Sequence, residues 1–257
     1  MFEVQYPFFK KGRVLKIEML ENLRNFPRDI LDIYGETLSD GIISGLTPAA
    51  DGRVVTFSKG MVKHNGSIYL INSPTTISCA DEDINAIITL NFYDEVVGDD
   101  FRTLFAEIEM NDRASIESNQ IELCRFKLKT GAYLRDAYQG LYDFVTEYNT
   151  INIAHTLYSG YKEPTISVEI LKYFAKEALE ANPKNAMDIT FCFMCLNSAR
   201  IERQVILNYV AHRTDQKLRP MTNIVIHDAL VKILDTIKRE IGRKSVSADA
   251  RHRIILD

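Results

Sequence analysis

GMVKHNGSIYLI, residues 60–71, decides how the first half of the chain is read. Asn65-Gly66 stands between the runs MVKH and SIYLI, and this pair is the residue type that a two-residue primed hairpin turn requires, because both central positions take positive φ. The stretch closes a longer run, DGIISGLTPAADGRVVTFSKGMVKHNGSIYLI (40–71), which holds five of the chain's twelve glycines. Such density fits either a loop that cradles a ligand or the corners of a small sheet. A phosphate cradle would read GxxxxGK[ST] or GxGxxG between a strand and a helix. Neither occurs, and GIISG (41–45) precedes strands. The glycines therefore predict corners, with Asn65 and Gly66 as structural turn residues.

Outward from the hairpin, short β-type runs separated by turn residues extend over 37–130. RVVTF (53–57), INAIITLNFY (84–93), FRTLFAEIEM (101–110) and IELCRFKLK (121–129) join SIYLI (67–71). All are rich in β-branched or aromatic residues and bounded by Gly, Asn, Asp or Pro, which predicts five mostly antiparallel strands. VVGDD (96–100) separates two of the runs and predicts a second, longer hairpin loop, making the sheet a meander.

The flanks have helical spacing. In RVLKIEMLENLRNFPRDILDIY (13–34), Leu15, Met19, Leu23, Phe26 and Ile30 recur at steps of three and four. They predict a short amphipathic helix broken near Pro27, since proline removes an amide donor and disfavours helical geometry in Phe26. After Tyr133, residues 134–161 predict one helix interrupted near Gly140 or ended by Gly160. Ser167 caps the next, VEILKYFAKEALEAN, which Pro183 follows. In residues 185–213, Asn185 and Asp188 have the spacing of a helix start, and apolar residues on nearly all faces of its early part predict that part of it is buried on every side. Thr222 then caps a last helix whose stripe Ile226, Leu230, Ile233, Ile237, Ile241 follows three- and four-residue steps, as in a bundle or coiled-coil seam. The fold class read from this pattern is α+β: an N-terminal helical attachment segment (1–36), a small antiparallel β-domain of about five strands (37–132) and an all-α domain of four or five helices with a basic tail (133–257).

Composition limits the function. The 257 residues carry 31 Lys+Arg against 35 Asp+Glu. Residues 200–257 hold twelve of these cations and seven of the carboxylates. The tail from Lys238 to Arg253 has charge but no aromatic to stack a base, so nucleic acid is not an expected partner. No apolar run approaches the ~18 residues of a membrane helix, so membrane insertion is not expected. The start MFEVQYPFFKKGRVL puts apolar and basic residues in the wrong order for a secretory signal, which predicts synthesis in the cytoplasm.

Catalytic signatures are missing. Cys192-Phe-Met-Cys195 is half a zinc site with no second half, and Phe191, Phe193, Met194 and Leu196 crowd it, which predicts buried thiols. The histidines are dispersed and expected at surfaces or edges, and no nucleophile elbow appears. Asp81-Glu82-Asp83 and Asp99-Asp100 lack the alternating ligands of a calcium loop and predict solvated turns. No catalytic, cofactor-binding or metal residue is assigned, and no cofactor is expected. The candidate site residues are instead apolar. Leu15, Met19, Leu23 and Phe26 in the first helix, with Ile226, Leu230, Ile233 and Ile237 in the last, offer surface to protein partners, packing within the chain being the competing reading of each stripe.

DGIISGL, the V-T-F-S-K-G element and the N-G-x-I-Y hairpin, preceded by the amphipathic segment 13–34, resemble the N-terminal part of tail-fibre and baseplate-attached proteins of phages, prophages and phage-tail-like contractile particles from Gram-positive bacteria. The resemblance covers 8–130. It implies a structural subunit with no catalytic residues to carry over, partnered by other tail, baseplate or fibre proteins and assembled into a virion or phage-tail-like particle. A homo-oligomer is expected, a trimer being one candidate. The chain becomes helical where many such proteins continue into fibrous repeats or a receptor-binding tip, so an adaptor or baseplate component fits better than a tip. The alternative is a cytoplasmic enzyme or nucleic-acid-binding protein with a site assembled from scattered residues.

Overall fold

The computed structural model describes residues 4–80, 82–112 and 115–249, with side chains to residue 240. The basic tail from residue 250, with its apolar end, and Asp81 of the first acidic cluster lie outside the described residues. The architecture is α+β.

The hairpin at 60–71 forms as its turn chemistry dictates. Strands β4 (Gly60–His64) and β5 (Ser67–Ile71) pair antiparallel with His64 opposite Ser67, and Asn65 and Gly66 take φ of 47° and 78°. Strand β1 (Gly41–Gly45) pairs with the other edge of β4. Gly45 has φ +71°, and a Cβ there would lie 2.1 Å from the Lys59 carbonyl oxygen, so glycine allows the close crossing of the two backbones.

The sheet is not a meander. β2 (Pro48–Asp51) and β3 (Val54–Phe57) fold out between β1 and β4 and take β6 (Thr75–Ser78) as third strand, in the order β2-β3-β6. A third sheet has the order β10-β7-β11, built from β7 (Ile84–Phe92), β10 (Ala106–Asn111) and β11 (Gln120–Leu128). Val96 and Val97, expected in a loop, are instead a strand, β8 (Val96–Val97), paired with β9 (Arg102–Thr103) in a separate ribbon closed by Gly98 N–H donating to the Phe101 carbonyl at 2.9 Å. The five expected runs all contain strand, and the additional strands are short, two to five residues, and so weakly signalled in sequence.

The helix expected over 134–161 does not form. Apart from a 3-10 turn at Leu141–Val145, this segment is an irregular strap whose backbone groups go to the sheets. Arg125 and Asn152 exchange bonds of 2.9 and 2.8 Å, Asn149 N–H donates to Lys127 at 2.7 Å, and Ile42 and Ser159 bond Leu157 and Ile42 at 2.9 Å. The cause is competition for backbone partners. β11 and β1 present open edges that need donors and acceptors, while Gly140, the β-branched Thr146, Thr150, Ile151 and Ile153, and Asn149 at φ 56° weaken any helix there.

Four helices follow. α2 (Val168–Glu180) is capped by the Ser167 hydroxyl, which accepts from Glu169 N–H at 3.2 Å. α3 (Ala186–Asn197) is capped by the Asn185 side chain, which accepts from Met187 N–H at 2.9 Å. The single pattern over 185–213 divides at Ser198, where the chain is extended, and resumes as α4 (Arg203–Thr214). α5 (Asn223–Asp249) packs on α2 and α4. Phe191 and Tyr209 stack at 3.9 Å between ring centres, with Phe174 edge-on to both at 5.9 Å. One cluster of buried apolar side chains runs from Ile42 in β1 to Ile237 in α5, joining sheets and helices in a common core.

Candidate interaction surfaces

The N-terminal segment forms one continuous helix, α1 (Ile17–Gly35), with Pro27 inside it. The expected break does not occur because Pro27 removes only the donor to the Leu23 carbonyl, and both residues are exposed, so water can satisfy that oxygen. The hairpin at 60–71 holds the base of this helix. Lys63 Nζ donates to the carbonyls of Gly35 at 2.8 Å and Leu38 at 2.6 Å, supplying a cation to the negative end of the helix. Gly35 is buried so closely against Ile68 that a Cβ would lie 2.8 Å from its Cδ1.

Beyond this base, α1 has no extensive packing on another described helix or sheet. Met19, Leu23, Phe26, Ile30 and Ile33 follow alternating four- and three-residue steps, and all but the half-buried Met19 are exposed. Leu15, Ile17 and Leu20 are exposed as well. The segment preceding the helix folds back on it without covering the stripe: Tyr6 meets the Phe26 ring edge-on at 5.4 Å, and Asn22 Nδ2 donates to the Gln5 carbonyl at 3.1 Å. Tyr6, Phe8 and Phe9 are themselves exposed.

The stripe on α5 has the opposite fate. Ile226, Leu230, Ile233 and Ile237 are buried in the chain's own core, so they present no surface to a partner. Their face is taken by α2 and α4. The side chain of Ile241 lies outside the described residues.

A face missed in the sequence lies on α3. Asp188, Phe191, Cys192 and Cys195 point inward, but Phe193 is 58% exposed and Met187, Met194 and Leu196 are exposed beside it. The expectation that part of this helix is buried on every side is thus corrected: among the described residues only one side of it is covered. The signal was the uncharged run from Ile189 to Ala199, since a helix apolar all round needs cover on two sides. A third exposed feature is the β8–β9 ribbon, with Val96, Val97 and Phe101 exposed at its tip and Leu104 and Phe105 exposed behind it.

A cleft of about 660 Å³ lies between β11, the strap, and the starts of α4 and α5. Four of its charged side chains, Glu122, Arg125, Glu163 and Arg203, hold its walls together. Arg125 grips Glu122 with two bonds of 2.6 Å, and Gln204 donates to Glu163 at 2.6 Å. Arg203 is spent on the Pro164 and Met221 carbonyls and on Asn223 Oδ1, while Asn223 Nδ2 donates to the Thr156 carbonyl at 2.7 Å. Burial, and then Arg125, disfavour protonation of His155 on the same wall.

Two histidines expected at surfaces or edges are buried. His64 stacks on Phe92 at 4.0 Å, and burial lowers its pKa against the opposing pull of Asp40. His227 is fully buried, its Nε2 2.9 Å from the Leu141 carbonyl. All four cysteines are free and buried. Burial pushes the thiols of Cys192 and Cys195 up to about 12, which makes them poor nucleophiles. Of the inner acids, Asp188 accepts from the Tyr209 hydroxyl at 2.8 Å and faces Arg213 Nε at 3.0 Å, with burial raising its pKa against both. Asp83 accepts from the Thr130 backbone and from Lys129, which hold it at about 2. No cluster of three or more His, Cys, Asp or Glu able to hold a metal ion occurs among the described residues. No helix among them is long and apolar enough to cross a membrane.

No family model and no curated relative matches the chain. Among solved structures it is similar to TssK in a crystal structure, at 9% identity over 92% of this chain and 69% of the other, with a TM-score of 0.38. It is also similar to a chain of the type VI secretion system TssK-TssF-TssG baseplate subcomplex seen by cryo-electron microscopy, at 7% identity over 91% of this chain and 100% of that one, with a TM-score of 0.42. A chain of the baseplate complex from the type VI secretion system gives 8%, 92%, 100% and 0.36 for the same quantities. Likeness of this degree carries no conclusion about activity or partners, which rest on the chain's own surfaces.

Proposed function

We propose that the chain is a non-catalytic structural subunit of a contractile phage-type tail, acting at the baseplate or the tail-fibre connection as an assembly adaptor. The observation that carries this reading is α1, a 19-residue helix held at one end by Lys63 and Ile68 whose apolar stripe is open to water. Contiguous apolar surface on a soluble chain marks a place where another protein sits. The exposed face of α3 offers a second such place, so the subunit can hold two neighbours at once. On this reading the partners are other tail, baseplate or fibre proteins and further copies of the chain, a trimer being one arrangement. The protein is made in the bacterial cytoplasm and incorporated into a virion or phage-tail-like particle, with no cofactor and no nucleic acid required.

The test is co-expression with the tail and baseplate proteins encoded beside its gene, followed by purification through a tag on this chain. Stable co-purification of at least one of them is the expected result. A chain that purifies alone, from a gene set among metabolic enzymes, overturns the reading.

A further inference from the structure

Two of the open surfaces are opposite in charge. The arm leading into α1 displays Tyr6, Phe8 and Phe9 and carries Lys10, Lys11, Arg13 and Lys16, with no carboxylate from residue 4 through residue 17. Its cations lie among its aromatics, Lys10 Nζ standing 4.9 Å from the centre of the Phe8 ring. The β8–β9 ribbon displays Val96, Val97 and Phe101, the last 77% exposed, and carries Asp94, Glu95, Asp99 and Asp100 on a stretch of seven residues. Its one cation, Arg102, faces Glu95 at 3.8 Å. Both surfaces are open within one chain, so neither covers the other.

We propose that the basic aromatic arm of one copy docks on the acidic apolar ribbon of a second copy. The match is of two kinds. Apolar side chains on each side lose water on contact, and four cations meet four carboxylates, which steers the encounter and fixes its polarity. Unless two copies exchange arms reciprocally about a two-fold axis, this contact is heterologous, and each copy gives its arm to one neighbour and its ribbon to another. The chain of contacts closes into a ring or runs on as a filament. α1 follows directly from the arm, so docking the arm would also place the apolar stripe of the helix along the neighbour. This inference rests on the assembly reading above and specifies the self-contact within it.

The test is the size of the purified full-length chain in solution, measured by sedimentation over a range of protein concentrations at low and at high salt. The wild type is expected to self-associate, less so in high salt. Lys10→Glu with Lys11→Glu on the arm, or Asp99→Lys with Asp100→Lys on the ribbon, is expected to weaken association by about tenfold or more, because attraction becomes repulsion. The two reversals combined in one chain should restore it, and an equal mixture of the two singly reversed chains should associate again. Phe101→Ser, at an exposed tip, is expected to weaken association with no change in melting temperature. A wild type that stays monomeric, reversals without effect, or a combined reversal that fails to restore size while the chain remains folded overturns the docking. Co-purification with tail proteins by a monomeric wild type removes the self-contact and leaves the assembly reading standing; loss of both removes both.

Discussion

Replacing Leu23, Ile30 and Ile33 together by glutamine separates a docking helix from a packed one. In the folded chain these side chains are 48%, 52% and 73% exposed, and glutamine is a good helix former, so each change should move unfolding stability by no more than about 0.5 kcal/mol. Full burial of a Leu or Ile side chain is worth about 1.5–3 kcal/mol. A partner that covers the remaining half of Leu23 and of Ile30 gains about 1 kcal/mol from each, and from the larger exposed share of Ile33 about 1.5 kcal/mol. The triple variant should therefore lose about 3–4 kcal/mol of binding, a weakening of two to three powers of ten at about 1.4 kcal/mol per tenfold. The pair of measurements is urea unfolding of the chain alone and calorimetric titration with whichever tail protein co-purifies. A loss of 2 kcal/mol or more in unfolding stability would show the stripe to be packed in its own fold, and unchanged affinity would remove α1 as the docking element; either refutes the reasoning.

Truncating an apolar side chain inside the chain has the reverse signature. Leu230→Ala on α5, at a fully buried position, should cost about 2–5 kcal/mol of stability through lost transfer energy and a cavity, read by urea unfolding, with partner affinity unchanged for the folded fraction. Arg203 is 8% exposed and donates to two carbonyls and to Asn223, so Arg203→Met should cost about 3–5 kcal/mol by leaving buried acceptors unpaired. A double-mutant cycle with Asn223→Ala should show strong coupling, and additive costs would count against the network. Asp143 is held below the usual carboxylate range by Arg135, whose two bonds are 2.6 and 2.5 Å long, and further by Gln139 N–H and the Thr146 hydroxyl. A depressed folded pKa gives stability that is present above the unfolded value of about 3.9 and lost as pH falls below it. Asp143→Asn should thus destabilise by about 2 kcal/mol at pH 7, with the difference from wild type shrinking below about pH 4 in a series of unfolding curves.

What was legible in the sequence was local chemistry. Asn65-Gly66 made its turn, Ser167 and Asn185 made their caps, and the β-branched runs became strands, because each of these is decided by a few adjacent residues. What was not legible depended on partners far along the chain. Residues 134–161 have helical spacing in part, yet their backbone groups are claimed by β11 and β1, whose open edges exist only once the sheets have formed. The insertion of β2 and β3 between β1 and β4, with β6 joining them from beyond β5, is equally non-local, and Gly45, which permits the crossing, reads in sequence as one corner among several. His64 and His227 read in sequence as surface or edge residues because nothing beside them announces Phe92 or Leu141, which they meet in the fold.

The two apolar stripes make the same point about function. Met19, Leu23, Phe26, Ile30 and Ile33 on α1 and Ile226, Leu230, Ile233 and Ile237 on α5 follow nearly the same spacing, and spacing reports only that a face seeks cover. Whether cover comes from within depends on what lies around the helix. α5 is met by α2 and α4, and its stripe closes the core. α1 is gripped at its C-terminal end by Lys63 and Ile68 of the 60–71 hairpin and by little else, so its stripe stays open. That grip gives the hairpin a use beyond turning the chain: it fixes the angle at which an otherwise unsupported helix leaves the sheet. Replacing Lys63 by methionine removes both bonds to the helix base while leaving the stripe unchanged. An adaptor that works by presenting α1 at a set angle should then lose partner affinity without losing its fold, whereas affinity equal to the wild type would mean that only the stripe, and not its orientation, is recognised.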